Sequence, residues 1–175
     1  MGRGKQRLPE KQSKLVQNFK PKNNKQRELV DLIEDYEIVI ATGPAGTGKT
    51  YVALATALNL LSAGYKKLIL VKSVTTIPGE EIGFLKGSLE QKMEPFIMSY
   101  IWNIDKICGE FSAQKLLDAK VVEVLPLAFI RGLSIDDSVV IIDEAQNIDN
   151  HTFKTIMTRI GDNSKYIFLG DTEQI

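Results

Sequence analysis

Ile38-Val39-Ile40-Ala41-Thr42 runs directly into Gly43-Pro44-Ala45-Gly46-Thr47-Gly48-Lys49-Thr50, and this stretch decides the fold. The first five residues are apolar or β-branched and read as a short, fully buried strand. The next eight fit the pattern G-x-x-x-x-G-K-[ST]. Behind them a helix is expected from about Lys49 to Ala63, apolar on nearly all sides through Val52, Leu54, Leu58, Leu60 and Leu61. Such a helix belongs between a sheet and another layer, and Gly64 is a natural stop for it. A strand, a glycine-rich turn and a helix in that order give the pattern its meaning. The glycines let successive backbone N–H groups turn toward an anion. The helix N-terminus adds the positive end of its dipole. Lys49 is then expected to reach the β- and γ-phosphates of a nucleotide, and the Thr50 hydroxyl to bind Mg²⁺.

Downstream the alternation continues. Leu68–Val71, Val121–Leu125, Val139–Ile142 and Tyr166–Leu169 read as four more strands. Helical spacing marks Ser88–Ile104, Phe111–Ala119 and Thr152–Ile160, and a further helix starts near Asn23–Asn24. Pro78–Glu81 reads as loop. Strands alternating with helices imply an α/β fold with a mostly parallel five-stranded sheet flanked by helices, and the Gly43–Thr50 motif makes it a P-loop NTPase fold.

Two further strand ends carry polar chemistry. Val139–Ile142 leads into Asp143-Glu144-Ala145-Gln146, which sets a carboxylate at the sheet's C-terminal edge beside the phosphate loop. Asp143 is expected to hold Mg²⁺, directly or through water. Glu144 is placed to orient and activate an attacking water. Gly170-Asp171-Thr172-Glu173-Gln174 ends the last strand, where a polar side chain such as Gln174 can sense the γ-phosphate. Strand ends often run into Gly-Asp turns, so this element is informative by its position only.

The 175 residues are one-domain length. Apolar residues make up 43% and charged residues 25%, which suits a soluble globular chain. A single cysteine, Cys108, and a single histidine, His151, exclude a disulfide scaffold and a Cys/His zinc site. No membrane span is expected, because the longest charge-free stretch is Thr50–Tyr65. Met1–Arg27 is basic without an apolar run, unlike a signal peptide, so a cytoplasmic protein is expected. Net charge is zero, yet residues 1–27 hold nine Lys/Arg against one acid. A basic arm on an acidic body suits nucleic acid, because Lys and Arg release counterions from phosphates. A solvated terminus explains the same charges. Residues 1–22 are accordingly read as a flexible or loosely docked arm and 23–175 as the ATPase domain.

Ile40 through Gln174 resembles the PhoH-like family of P-loop ATPases, which are related to superfamily 1 helicases. The resemblance rests on the phosphate loop, on Leu70–Ser73 followed by Gly83-Phe84-Leu85-Lys86-Gly87, on Pro126-Leu127-Ala128-Phe129-Ile130-Arg131-Gly132, on Asp143–Asn147 and on Gly170–Gln174. It implies a RecA-like core that binds and hydrolyses ATP, a link to RNA or single-stranded DNA, and a helicase-type motor. Gln26 resembles the upstream glutamine that helicase relatives use on adenine. Gln146 and Gln174 would couple the state of the γ-phosphate to the nucleic-acid surface. Arg131 can contact nucleic acid, reach a phosphate on a neighbouring subunit, or serve as a structural donor in a loop. Family members continue past the Gly-Asp-x-x-Gln motif with a segment carrying an arginine, so this chain looks truncated at Ile175 by comparison. If the protein ends there, hydrolysis would be slow or would draw on a partner's arginine; the sequence equally reads as a fragment of a longer chain.

Three functions compete at this point. One is an ATPase motor linked to nucleic acid, working as a homo-oligomer because one core cannot clamp a strand alone. A second is a scaffold or oligomerisation switch that binds ATP with little turnover. A third is a small-molecule kinase, against which the Asp143-Glu144 pair argues. Phe84 is the aromatic best placed to stack on a base. Trp102 reads as core, Cys108 as a small buried residue, His151 as a polar residue at a helix start, and Asp136-Asp137 as a solvated loop.

Overall fold

The computed structural model describes residues 15–73, 89–130 and 132–171. Its elements are α1 (Asn24–Asp35), β1 (Ile38–Thr42), α2 (Lys49–Ser62), β2 (Lys67–Lys72), α3 (Leu89–Cys108), α4 (Ser112–Asp118), β3 (Val122–Pro126), α5 (Leu127–Ile130), β4 (Ser138–Asp143), α6 (Asn150–Met157) and β5 (Lys165–Gly170). The five strands are parallel, in the spatial order β1-β5-β4-β2-β3. The last strand in sequence therefore lies between the strand that carries the phosphate loop and the strand that carries Asp143.

Strand periodicity builds both layers of core. Val39, Leu68, Leu70, Val139, Ile141, Ile167 and Leu169 face α1, α2, α3 and α4. Ile69, Val71, Val140, Ile142, Tyr166 and Phe168 face α5 and α6. Burying a side chain of this size contributes about 1.5–3 kcal/mol, so the central strands β4 and β5, buried on both faces, carry much of the stability.

One charged side chain is built into this scaffold. Lys165, only 6% exposed, opens β5 and donates to the carbonyls of Glu34 (3.0 Å) and Tyr36 (2.7 Å) at the end of α1. Burial holds its pKa below the usual lysine range, against the opposing pull of Glu37, Asp35 and Glu34. Replacing it by methionine leaves both carbonyls short of a donor. Lys165→Met is expected to lose about 1–3 kcal/mol of stability, read as a lower midpoint in urea with the slope unchanged.

The folded part reaches N-terminally of α1. Val16 joins the core, Phe19 packs on Tyr51, and Gln17 and Asn18 donate backbone N–H groups to the Ile107 carbonyl. Residues 1–14 and 74–88, with the Pro78–Glu81 loop, lie outside the described residues.

Three expectations need correction. Strand β1 is not fully buried: it lies at the edge of the sheet, with Ile38 and Ile40 exposed and only Val39 buried. Trp102 is 70% exposed. The buried stripe of α3 runs through Met93, Tyr100, Ile104 and Ile107, and Trp102 falls with Met98 on the opposite side. Helix α6 starts at Asn150, capped by the Asp149 carboxylate on the Thr152 N–H, which puts the exposed His151 in its first turn as expected. The helix ends earlier than expected, at Met157, and Ile160 instead makes a parallel bridge to Ile135. Asp136 and Asp137 lie in a solvent-facing loop as expected, where Asp136 accepts from the Asp162 N–H, and Asp137 pairs with Lys66 and accepts from Asn163. The short α5 was not anticipated. Cys108 is buried as expected, and burial, with the Asp105 charge, pushes its thiol up to about 11. Among the described residues, no helix is long and apolar enough to cross a membrane.

Candidate active site

The turn between β1 and α2 is held open by glycine. Gly46 (φ 75°) and Gly48 (φ 84°) adopt the left-handed region that other residues resist. A Cβ at Gly48 would also stand 3.0 Å from the Gln26 amide nitrogen. Gly48 is the N-cap of α2 and supplies no side-chain acceptor, and no acid lies in the helix's first turn. Those amides are left to an anion. Lys49 folds back over the loop, donating to the carbonyls of Gly43 (2.5 Å) and Pro44 (2.8 Å). The Thr47 hydroxyl donates to the same Pro44 carbonyl at 3.0 Å.

Two cavities meet at this loop. One, of about 820 Å³, lies between α1 and β1 and is lined by Gln26, Leu29, Val39, Ile40, Pro44 and Thr47. Gln26 is fixed at its rim: its backbone N–H is capped by the Asn23 side chain, and its side-chain amide donates to the Thr47 carbonyl at 3.1 Å. The other, of about 320 Å³, lies over the loop and is lined by Gly46, Lys49, Thr50, Asn103, Asp143 and Glu144.

The carboxylates stand where strand ends were expected to put them. Asp143 closes β4, and its two oxygens face different neighbours. Oδ1 accepts from the Thr50 hydroxyl at 3.3 Å and from the Glu144 N–H at 3.1 Å. Oδ2 lies 3.3 Å from the Lys72 ammonium and 3.5 Å from the Tyr100 hydroxyl. Glu144 sits at φ 56°, ψ 42°, a left-handed conformation costing on the order of 1–2 kcal/mol in a non-glycine residue. Strain of this kind marks sites that use it; here it turns the Glu144 side chain back toward the sheet edge. Oε1 accepts from Lys72 at 3.2 Å and Oε2 from the Gln146 amide at 2.6 Å. Burial pushes the Glu144 pKa up, but the hydrogen bonds from Gln146 and Lys72, with the Lys72 charge, outweigh it and hold the carboxyl below its usual range. Gln146 in turn accepts from the Asp171 N–H at 3.0 Å, which ties the end of β4 to the end of β5.

Mg²⁺ prefers oxygen ligands and keeps several waters, taking one or two protein groups together with nucleotide phosphates. Thr50 Oγ1 and Asp143 Oδ1, 3.3 Å apart, fit that demand. No cluster of three or more His, Cys, Asp or Glu able to hold a metal exists among the described residues. A metal held by these two oxygens would take its remaining ligands from water or a phosphate.

Of the residues singled out in the sequence, the structure brings Gln26, the loop from Gly43 to Thr50, Asp143, Glu144 and Gln146 to one edge of the sheet. Arg131, Gln174, Phe84 and the Gly83–Gly87 block lie outside the described residues. Sequence reasoning missed Lys72, Tyr100 and Asn103 as site residues. Lys72 had a legible signal, a charged residue ending a buried strand. Tyr100 and Asn103 look like ordinary members of an amphipathic helix.

Comparisons with known proteins give the family and the fold. A family model described as PhoH-like protein matches residues 18–175. A PhoH-like protein of Bacillus subtilis is 38% identical over 150 residues, covering 86% of this chain and 47% of that protein. Protein PhoH2 of the same organism is 39% identical over 171 residues, covering 91% of this chain and 38% of that protein. The chain thus spans less than half the length of either relative. Among solved structures, the SWI2/SNF2 ATPase core of Sulfolobus solfataricus in complex with dsDNA superposes with a TM-score of 0.52 at 16% identity, covering 89% of this chain and 34% of that one. That likeness concerns the fold, a P-loop core of the RecA-like kind found in helicases. By the family match over most of its length, and by its phosphate loop and strand-end carboxylates, this chain belongs to the PhoH-like protein family.

Proposed function

We propose that this chain binds ATP with Mg²⁺ at the β1–α2 loop and hydrolyses it, with turnover coupled to RNA or single-stranded DNA. The observation that carries the reading is the meeting of Thr50 and Asp143 across the sheet edge, with Glu144 one residue further on and aimed into the same cavity. The loop amides and Lys49 hold the phosphates, and Lys49 exchanges the Gly43 and Pro44 carbonyls for phosphate oxygens. Thr50 and Asp143 hold the metal, which neutralises charge on the transferring phosphoryl group. Glu144 takes the proton of the attacking water as the bond between the γ-phosphorus and the leaving ADP oxygen breaks. The larger cavity, with Gln26 at its rim, takes the adenine. Gln146, bridging Glu144 and Asp171, relays the state of the γ-phosphate to the end of β5.

The nucleic-acid half of the proposal draws on the excess of Lys and Arg in residues 1–27 and on the family. The structure of like fold that holds dsDNA is compatible with it. Assembly of several copies is part of the same proposal, since a single core offers one side of a strand clamp. The test is steady-state phosphate release with and without single-stranded RNA or DNA. Release should rise with nucleic acid and fall back as salt is raised. Release that ignores every nucleic acid offered removes the motor and leaves a simple ATPase. ATP-dependent change in mass without release supports the scaffold instead.

A further inference from the structure

Lys72 closes β2, and its register partner on the neighbouring strand is Asp143. Both side chains leave the same edge of the sheet. The Lys72 side chain is 16% exposed, and an ammonium so covered needs partners. It has two carboxylates, at 3.3 Å on Asp143 Oδ2 and 3.2 Å on Glu144 Oε1, and the Phe96 ring lies 5.7 Å away as a cation–π support. The phosphate loop does not call for this second cation, because Lys49 already serves it.

The two contacts differ in consequence. On Asp143, Lys72 and Tyr100 share Oδ2, which leaves Oδ1 directed at Thr50. On Glu144, Lys72 takes Oε1 while Gln146 takes Oε2. A carboxylate that is to accept a proton from water must aim a lone pair at that water. With a cation on one oxygen and an amide on the other, Glu144 is held in place with neither oxygen free to face a water. We infer that Lys72 is a positioning residue, which occupies Asp143 through Oδ2 in competition with a metal and keeps Glu144 in a resting conformation that must be released for turnover. The inference rests on the ATPase reading, but part of its geometry is testable without hydrolysis.

Two variants decide it, Lys72→Met and Lys72→Arg, each first checked for a cooperative thermal melt. Mn²⁺ alone is titrated into the nucleotide-free chain by electron paramagnetic resonance. Removing a cation that faces the same two acids should tighten Mn²⁺ by roughly threefold or more, and arginine should restore weaker binding. Phosphate release from ATP is then measured without nucleic acid. Lys72→Met should exceed the parent by roughly threefold or more, and the gain should vanish when Glu144→Gln is added. Unchanged Mn²⁺ affinity in Lys72→Met overturns the inference. So does a rate that stays at the parent's level, or one that falls to that of Glu144→Gln with ATP still bound. A parent chain that neither binds nor cleaves ATP removes the ATPase reading itself, and that outcome is distinguished from the others by the missing ATP binding.

Discussion

Glu144→Gln should keep nucleotide affinity and lose phosphate release by about 10²–10⁴-fold. The amide nearly preserves size and can still accept through its oxygen, so the contact with Lys72 and the left-handed backbone can survive. What disappears is a group able to take a proton. Fluorescent-nucleotide titration should give a dissociation constant within a few-fold of the parent, while single-turnover release collapses. The residue's partners sharpen the expectation. The Glu144 carboxylate accepts from Lys72 and Gln146 while the Thr50 hydroxyl donates to Asp143, so losing that carboxylate should leave the Thr50–Asp143 pair intact. An equal loss of binding and release would mean that Glu144 holds the nucleotide and does not serve as the base.

Lys49→Ala should act at the other step. Lys49 lies across the loop on two backbone carbonyls, poised at the position an incoming phosphate would claim. Those carbonyls are weak acceptors beside a polyanion, so the exchange favours nucleotide. Removing a phosphate-directed donor of this kind costs about 2.7–4 kcal/mol, or 10²–10³-fold in rate. Thermal melts provide a second measure. A ligand at 100 times its dissociation constant stabilises by about 2.7 kcal/mol; Lys49→Ala should forfeit most of that gain, while its melt without nucleotide stays near the parent's. A variant whose melt still rises with ATP as the parent's does would place the phosphates elsewhere.

Much of this site is legible in the sequence because its parts are local. The strand, turn and helix from Ile38 to Ser62 follow one another without a break, and each is specified by neighbours a few residues away. Asp143 and Glu144 are legible for the same reason, as the first polar residues after an apolar strand. What was not legible depends on pairing. Periodicity says that the strands are parallel, but it does not say that β5 lies between β1 and β4. Nor does it bring Lys72 beside Asp143, since that follows from the register of β2 on β4. Trp102 shows the limit for helices. Apolar residues occur around much of α3, and only packing against α2 and α4 decides which stripe is covered. The partners of the solvent-facing Asp137, Lys66 and Asn163, were not legible because they come from distant turns.

The position of β5 also sets the order in which the protein can become competent. Among the described residues β1 pairs only with β5, from Ile38 against Tyr166 to Thr42 against Gly170. The strand that launches the phosphate loop thus waits for a partner that is synthesised more than a hundred residues later. Closing so long a loop is slow, and pairings of this kind form late. A chain leaving the ribosome would carry the whole glycine-rich motif through that interval with no partner strand for β1. Acquisition of nucleotide by a growing chain is therefore a report on the arrival of β5, and stalled chains that end before Lys165 should not retain ATP.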